Sequence, residues 1–130
     1  MYRQPWLSID EGAHVGKIKV KRGRTTFISW GAYIAGDIEL GEGCLIGPNV
    51  TICSSTHGTK PGVMIKDQQA THKKVVIGNG VWIGAGAIIL GGNVIEEGAV
   101  IGAGSVLTED NHVGKDEIWV GNPCRLLRYR

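Results

Sequence analysis

The chain has 130 residues, the length of one domain, and 21 of them are glycine. That share is more than twice the usual ~7% and follows no collagen register, so the excess belongs to turns. A formal net charge of +2 points to no particular partner. No segment is apolar enough for a signal peptide or a membrane span, and three cysteines without CxxC spacing fit reduced thiols in a cytoplasm.

Residues 1–8 carry no repeat and read as an N-terminal cap, with Tyr2, Trp6 and Leu7 covering an end that would otherwise expose a strand edge. Ile9-Asp-Glu-Gly-Ala-His and Val15-Gly-Lys-Ile-Lys-Val form two hexapeptides, after which the register slips by one near Lys21 to Thr25. Lys17, Lys19, Lys21, Arg22 and Arg24 form the densest positive run. Ile18 and Val20 alternate with its first lysines as in a half-buried strand, so a solvated strand face is the first reading and a patch for an anionic acceptor the second. No aromatic platform accompanies these charges, which argues against nucleic acid.

From Ile28 a large aliphatic residue recurs at every sixth position: Ile28, Ile34, Leu40, Ile46, Ile52. Gly31, Asp37, Gly43 and Asn49 fall at the turn positions between them. The pattern then stops. Residues 57–74 are polar, with Gly58, Pro61 and Gly62 as breakers, and read as a loop thrown out from the wall. A loop this long in so small a domain is usually functional. The period returns after Val75 with Ile77, Ile83, Ile89, Ile95, Ile101 and Leu107. The third residue after each is Gly80, Gly86, Gly92, Gly98, Gly104 and finally Asp110. Ile118 to Pro123 reads as an edge strand and turn. Residues 121–130 form a C-terminal cap, with Leu126 and Leu127 over the last coil.

A period of six matches neither the helix repeat of 3.6 nor the strand repeat of two. It fits a short strand plus a turn, with the aliphatic residue inward and the turn residue at positive φ, which glycine, asparagine and aspartate tolerate best. The result is a solenoid in which each rung covers the one before. Residues 9–56 and 75–120 supply about five coils, at ~18 residues each.

The strings Asn49-Val-Thr-Ile-Cys-Ser-Ser-Thr-His57, Ile77-Gly-Asn-Gly-Val-Trp-Ile-Gly84, Ile101-Gly-Ala-Gly-Ser-Val106 and Gly121-Asn-Pro-Cys-Arg125 resemble the hexapeptide-repeat acyltransferases, in particular their galactoside and maltose O-acetyltransferase branch. The resemblance covers roughly residues 40–130. It implies an all-β fold, a left-handed parallel β-helix of triangular section with three hexapeptides per coil. That hand runs against the usual rule for parallel crossovers. It also implies acetyl transfer from acetyl-CoA to a sugar-like hydroxyl, with His57 as the general base. An imidazole of unperturbed pKa near ~6.5 can take the acceptor proton at neutral pH and return it to the leaving thiolate. A backbone N–H would serve the tetrahedral oxyanion.

In the resembling enzymes acetyl-CoA lies between two subunits of a homotrimer. Carried over by position, Ala85 and Ala103 would face its pantetheine arm through their peptide groups. Thr108 would contact it, and Arg125 and Arg128 would meet its phosphates. Trp82, too large for a triangular core, would point outward and wall the thioester site.

Three departures concern the cofactor and the acceptor. Glu109 stands where the family often has lysine and would repel a phosphate. The segment Asn111 to Ile118 runs about two residues longer than in the family. The family's N-terminal helical segment and an acceptor-holding asparagine have no counterpart, since residues 25–29 read Thr-Thr-Phe-Ile-Ser. Polysaccharide precursors are therefore included among acceptors, and N-acetylation of an amino sugar or nucleotide-linked amino sugar stands as the second reading. A trimeric scaffold without activity is the third. A zinc carbonic anhydrase of the same fold needs three histidines at an interface, yet Ile77 to Leu107 contains none, so no metal is expected. His72, at the far end of the loop, reads as a surface residue, and His14 and His112 have no motif around them.

Overall fold

A computed structural model of the chain describes residues 1–130. The hexapeptides close into a left-handed parallel β-helix with three sides. The first side stacks Leu7–Ile9, Thr26–Ile28, Leu45–Ile46, Trp82–Ile83, Val100–Ile101 and Glu117–Val120. The second stacks His14–Val15, Tyr33–Ala35, Thr51–Cys53, Ile88–Ile89 and Val106–Leu107. The third stacks Lys19–Val20, Ile38–Leu40, Val75–Ile77, Val94–Ile95 and His112–Val113. This amounts to five complete coils and the first side of a sixth, and the only helical turn is a short 3-10 segment at Ile65–Asp67.

The core is the six-residue pattern made solid. Ile28, Ile34, Ile46, Ile52, Ile77, Ile83, Ile89, Ile95, Ile101 and Leu107 are all sealed from solvent. Each packs on its counterpart one coil away, as in the register Ile46–Ile83–Ile101. The residue two before each also points inward and is small, because the corners leave little room: Cys44, Val50, Val81, Ala87, Ala99 and Ser105 are buried there. Asn93 occupies one such place. Its Nδ2 donates to the carbonyls of Leu90 at 2.7 Å and Thr108 at 2.8 Å, and its Oδ1 accepts the Asn111 N–H at 3.0 Å. A buried amide is stable there because its polar atoms find partners. Trp119 takes an inward place only in the final coil, where the first side alone is present, and its Nε1 donates to Glu117 Oε2 at 2.7 Å.

Four local expectations are corrected. The early slip is split in two. Val20 aligns with Leu40 and Val15 with Ile34, so one residue is missing before Val20 and two are gained before Ile28. Asp37 is not a positive-φ turn residue. Gly36 takes that role with φ +106°, because a Cβ there would overlap Ser54 Oγ. The loop is rooted in a short antiparallel ribbon, Ser55–His57 against Ala70–His72, so His57 sits on a strand. Finally, Leu126 and Leu127 do not cover the last coil. Arg125–Tyr129 adds to the first side as an antiparallel edge strand, and both leucines stay exposed, at 45% and 59%. At the other end, Tyr2–Gln4 pairs with Leu7–Ile9, Trp6 packs on the core, and Arg22 lies over its ring, 4.5 Å from the centroid.

Candidate active site

The ribbon leaves and rejoins the solenoid at the corner between the second and third sides. Ile52 and Ile77 lie on consecutive sides, so the whole insertion is spliced into a single turn. Its base is anchored. Lys73 donates its N–H to the Ser54 carbonyl at 2.9 Å and accepts the Gly92 N–H at 3.0 Å. Lys73 Nζ reaches Glu109 Oε2 at 2.9 Å and Asp110 Oδ2 at 2.7 Å. These carboxylates, Asp110 first, push the lysine pKa up. Glu109 is therefore compensated within the chain and is not the bare negative charge that its position suggested. Gln68 closes the outer part of the ribbon, accepting the Lys60 N–H and donating to the Lys60 and Val63 carbonyls. His57 is exposed near the root, opposite Ala70.

The corner between the first and second sides carries Ala85 and Ala103 on successive coils. Gly104 donates its N–H to the Ala85 carbonyl at 2.8 Å. Both residues are exposed, and the N–H and C=O of Ala103 and the N–H of Ala85 enter no backbone hydrogen bond. A stacked pair of small residues with unpaired backbone amide groups is a surface to which an extended amide-bearing chain can bond. Thr108 stands at the ribbon's corner instead, its carbonyl taken by Asn93 and by Asn111 at 3.0 Å.

Trp82 lies outward on the first side, 53% exposed. It shares a shallow depression with Val100, Ile118, Arg128 and Arg130. Arg125 is at the other end of the same edge strand, with Nη1 donating to the Cys124 carbonyl at 2.9 Å. Trp82 and Arg128 are thus brought together, as are Ala85 and Ala103. His57 is not brought to Trp82. In a triangular section, the corner that bears the ribbon is the one opposite the first side, so the two residues of one chain face different ways.

The outer faces differ in character. Along the first side Phe27, Leu45, Trp82, Val100 and Ile118 stand in register. Along the second, Tyr33, Thr51, Ile88 and Val106 do so, with His14 stacked on Tyr33 at 4.9 Å. The third side is charged at its upper end. Glu39 accepts from Lys74 Nζ at 3.0 Å and faces Lys19 at 3.9 Å. Lys21 meets Glu42 at 3.7 Å, and the Arg24 N–H donates to Glu42 at 2.7 Å. Two of the five basic residues in the run, Lys19 and Lys21, therefore face carboxylates of the next coil. His112 pairs with Glu96 at 2.7 Å, and His, Cys, Asp and Glu side chains nowhere gather in threes as metal ligands.

Sequence reasoning missed two supports of the site, Ser54 and Lys73. Both contacts span a coil, and no local spacing announces them.

A triangular hexapeptide solenoid with a histidine-bearing ribbon at one corner defines a hexapeptide-repeat protein. The family pattern described as bacterial transferase hexapeptide (six repeats) matches residues 74–109. A galactoside O-acetyltransferase of Lactococcus lactis is 41% identical over 92 residues, 71% of this chain and 43% of that protein. Among solved structures, a hexapeptide-repeat acetyltransferase from Vibrio cholerae superposes with a TM-score of 0.83 at 28% identity, covering 95% of this chain and 70% of that one. A maltose O-acetyltransferase from Clostridium difficile gives 0.82 at 31% identity, covering 95% and 66%. Residues 74–109 thus carry the hexapeptide repeat of the bacterial transferases, and the chain is similar to hexapeptide-repeat acetyltransferases over nearly its whole length. It spans 43% of the Lactococcus protein and 64% of a second curated relative, from Dictyostelium discoideum.

Proposed function

We propose that the chain transfers an acetyl group from acetyl-CoA to a hydroxyl of a sugar-like acceptor, with His57 as general base. The observation that carries this is the placement of an exposed histidine on a clamped ribbon at a β-helix corner, in a chain whose relatives include a galactoside and a maltose O-acetyltransferase. The Vibrio cholerae relative has also been solved with acetyl coenzyme A. The thioester supplies the activated acetyl group. His57 takes the acceptor proton as the oxygen attacks, and returns it to the departing sulfur. Free peptide groups at Ala85 and Ala103 hold the amide arm, Trp82 walls the thioester end, Thr108 contacts the CoA, and Arg125 and Arg128 serve the phosphates.

The working unit is a homotrimer in this reading. His57 and Trp82 of one chain point apart, so a site that uses both needs a second copy. A closed ring of three needs two different complementary patches per chain. The apolar stripes of the first and second sides meet at one corner and supply such a pair, while the charged third side stays in solvent. The chain is read as cytoplasmic, consistent with its three free cysteines.

The test is release of free thiol from acetyl-CoA over a panel of sugars, amino sugars and nucleotide sugars, with His57→Ala alongside. Turnover that drops by about 10²–10⁴ in the mutant supports the base. Undiminished turnover in His57→Ala rules it out, and exclusive use of amino groups replaces O-transfer by N-transfer.

A further inference from the structure

The ribbon carries a second imidazole. Its register sets Ser55 opposite His72 and His57 opposite Ala70. Residues two apart along a strand share a face, and directly opposed residues share it too. Ser55, His57, Ala70 and His72 therefore make up one face of the ribbon, with the histidines on its diagonal, and all four are exposed. Diagonal neighbours in such a ribbon stand roughly 7–8 Å apart, which leaves room for a small molecule between the two side chains.

His72 is tethered. Its Nδ1 lies 3.3 Å from Ser54 Oγ. Ser54 is 1% exposed. Its hydroxyl accepts the Asp37 N–H at 2.8 Å, its N–H donates to the Ala35 carbonyl at 3.3 Å, and its carbonyl accepts from Lys73. With one lone pair taken by Asp37, the remaining capacity of the hydroxyl faces His72. Nδ1 is thereby engaged, and Nε2 is the ring atom left for a ligand.

We infer that His72 is an acceptor-binding residue and that the acceptor presents a vicinal diol of the pyranose type. This rests on the acetyl-transfer reading. His57 removes the proton of the attacked hydroxyl, while His72 Nε2 hydrogen-bonds the neighbouring hydroxyl and so fixes which oxygen meets His57. The new C–O bond forms as the thioester C–S bond breaks, and the proton held by His57 passes to the thiolate. His72 exchanges no proton and needs no co-reactant.

The experiment measures kcat/KM for a methyl hexopyranoside that is turned over, and for its deoxy analogues lacking a hydroxyl beside the acetylated one. Wild type, His72→Ala, His72→Gln, His72→Asn and His57→Ala are compared. A lost hydrogen bond of this kind lowers kcat/KM about tenfold. Deoxygenation should cause that loss in wild type and none in His72→Ala, which already shows it on the full acceptor. His72→Gln, which keeps a distal N–H, should recover part of the rate, whereas His72→Asn, which reaches only Ser54, should not. An undiminished deoxy penalty in His72→Ala overturns the inference alone. Turnover confined to acceptors without a vicinal diol does the same. Absence of turnover on every acceptor overturns the transfer reading and this inference together.

Discussion

Lys73 Nζ bridges to Glu109 Oε2 across one full coil of the solenoid, at 2.9 Å. The coil between them contributes Gly91 and Gly92, which have no side chains to block the path. A Cβ on Gly91 would come within 2.8 Å of the Ser54 carbonyl and 3.2 Å of Lys73 Cβ. The glycines thus let the root of the ribbon settle onto the corner below. Glu109→Lys puts a second ammonium beside Lys73 and removes half of the clamp. Faster amide exchange is expected in residues 54–57 and 70–73, with the solenoid amides unchanged. Equal protection in both proteins would show that the backbone bonds alone hold the root. The raised pKa of Lys73 sets the sign of the alkaline limb. The clamp is fully present below the unfolded lysine value and is lost as pH rises through the folded value, above 10.5.

The acid limb belongs to other residues. Glu39 is held below the usual carboxylate range by its hydrogen bond from Lys74, and Glu42 by the Arg24 N–H. A lowered pKa contributes stability above the unfolded value that is lost as pH falls through the folded one, here below 4.5. In thermal unfolding followed from pH 7 to pH 3, the double variant Glu39→Gln, Glu42→Gln should start with a lower midpoint and decline less steeply than wild type. Parallel declines would assign the acid sensitivity elsewhere. Both carboxylates are solvated, so added salt should shrink the difference.

The solenoid was legible because its core is a one-dimensional pattern. Ile77 to Leu107 states the period, the inward face and the turn positions in the residues themselves. Errors arose where structure is decided between coils. Gly36 and not Asp37 takes the left-handed turn because Ser54 of the next coil occupies the space where a side chain would go. The ribbon looked like a loop because its strands are polar and three residues long, too short for alternation to register. His57 is singled out in the sequence only by the string Asn49 to Thr56 that precedes it. The tether of His72 to Ser54 spans 18 positions and leaves no trace in spacing. Hydrophobicity alone suggests Leu126 and Leu127 as a cover for the last coil, but the strand that carries them adds at an edge.

Two glycines of one corner separate close packing from backbone conformation. A Cβ on Gly84 would stand 2.5 Å from the Ala103 nitrogen and 2.9 Å from its Cα. These are backbone atoms and cannot swing aside. Gly86 has φ +69° and open space around it. Gly84→Ala should therefore force the coils apart, costing about 1–3 kcal/mol or more. Gly86→Ala should cost only the left-handed penalty, about 1–2 kcal/mol. Gly86→Asn should recover part of that, as Asn49 adopts φ 56° at the same corner. Urea midpoints rank the three. Gly84→Ala at or above Gly86→Ala in midpoint would refute the packing argument.

The cysteines bear on how turnover is read. Cys44 and Cys124 are fully buried, and burial pushes both thiols up. Cys44 is further enclosed by the Gly41 and Gly78 carbonyls, at 3.6 Å and 3.2 Å from its sulfur. Cys53 is half-buried beside Ser55, with 3.1 Å between its sulfur and the serine hydroxyl. Since the thiolate is the reacting species and must be reached by the reagent, the folded chain should present one titratable thiol, Cys53, and release two more on unfolding. Mass analysis after brief iodoacetamide treatment should place the label on Cys53 alone. Label on Cys44 under native conditions would mean that the coil opens locally at Gly41 to Cys44. Cys53→Ser removes the background in a free-thiol assay, and because Cys53 lies outside the sealed core it should leave the unfolding midpoint nearly unchanged.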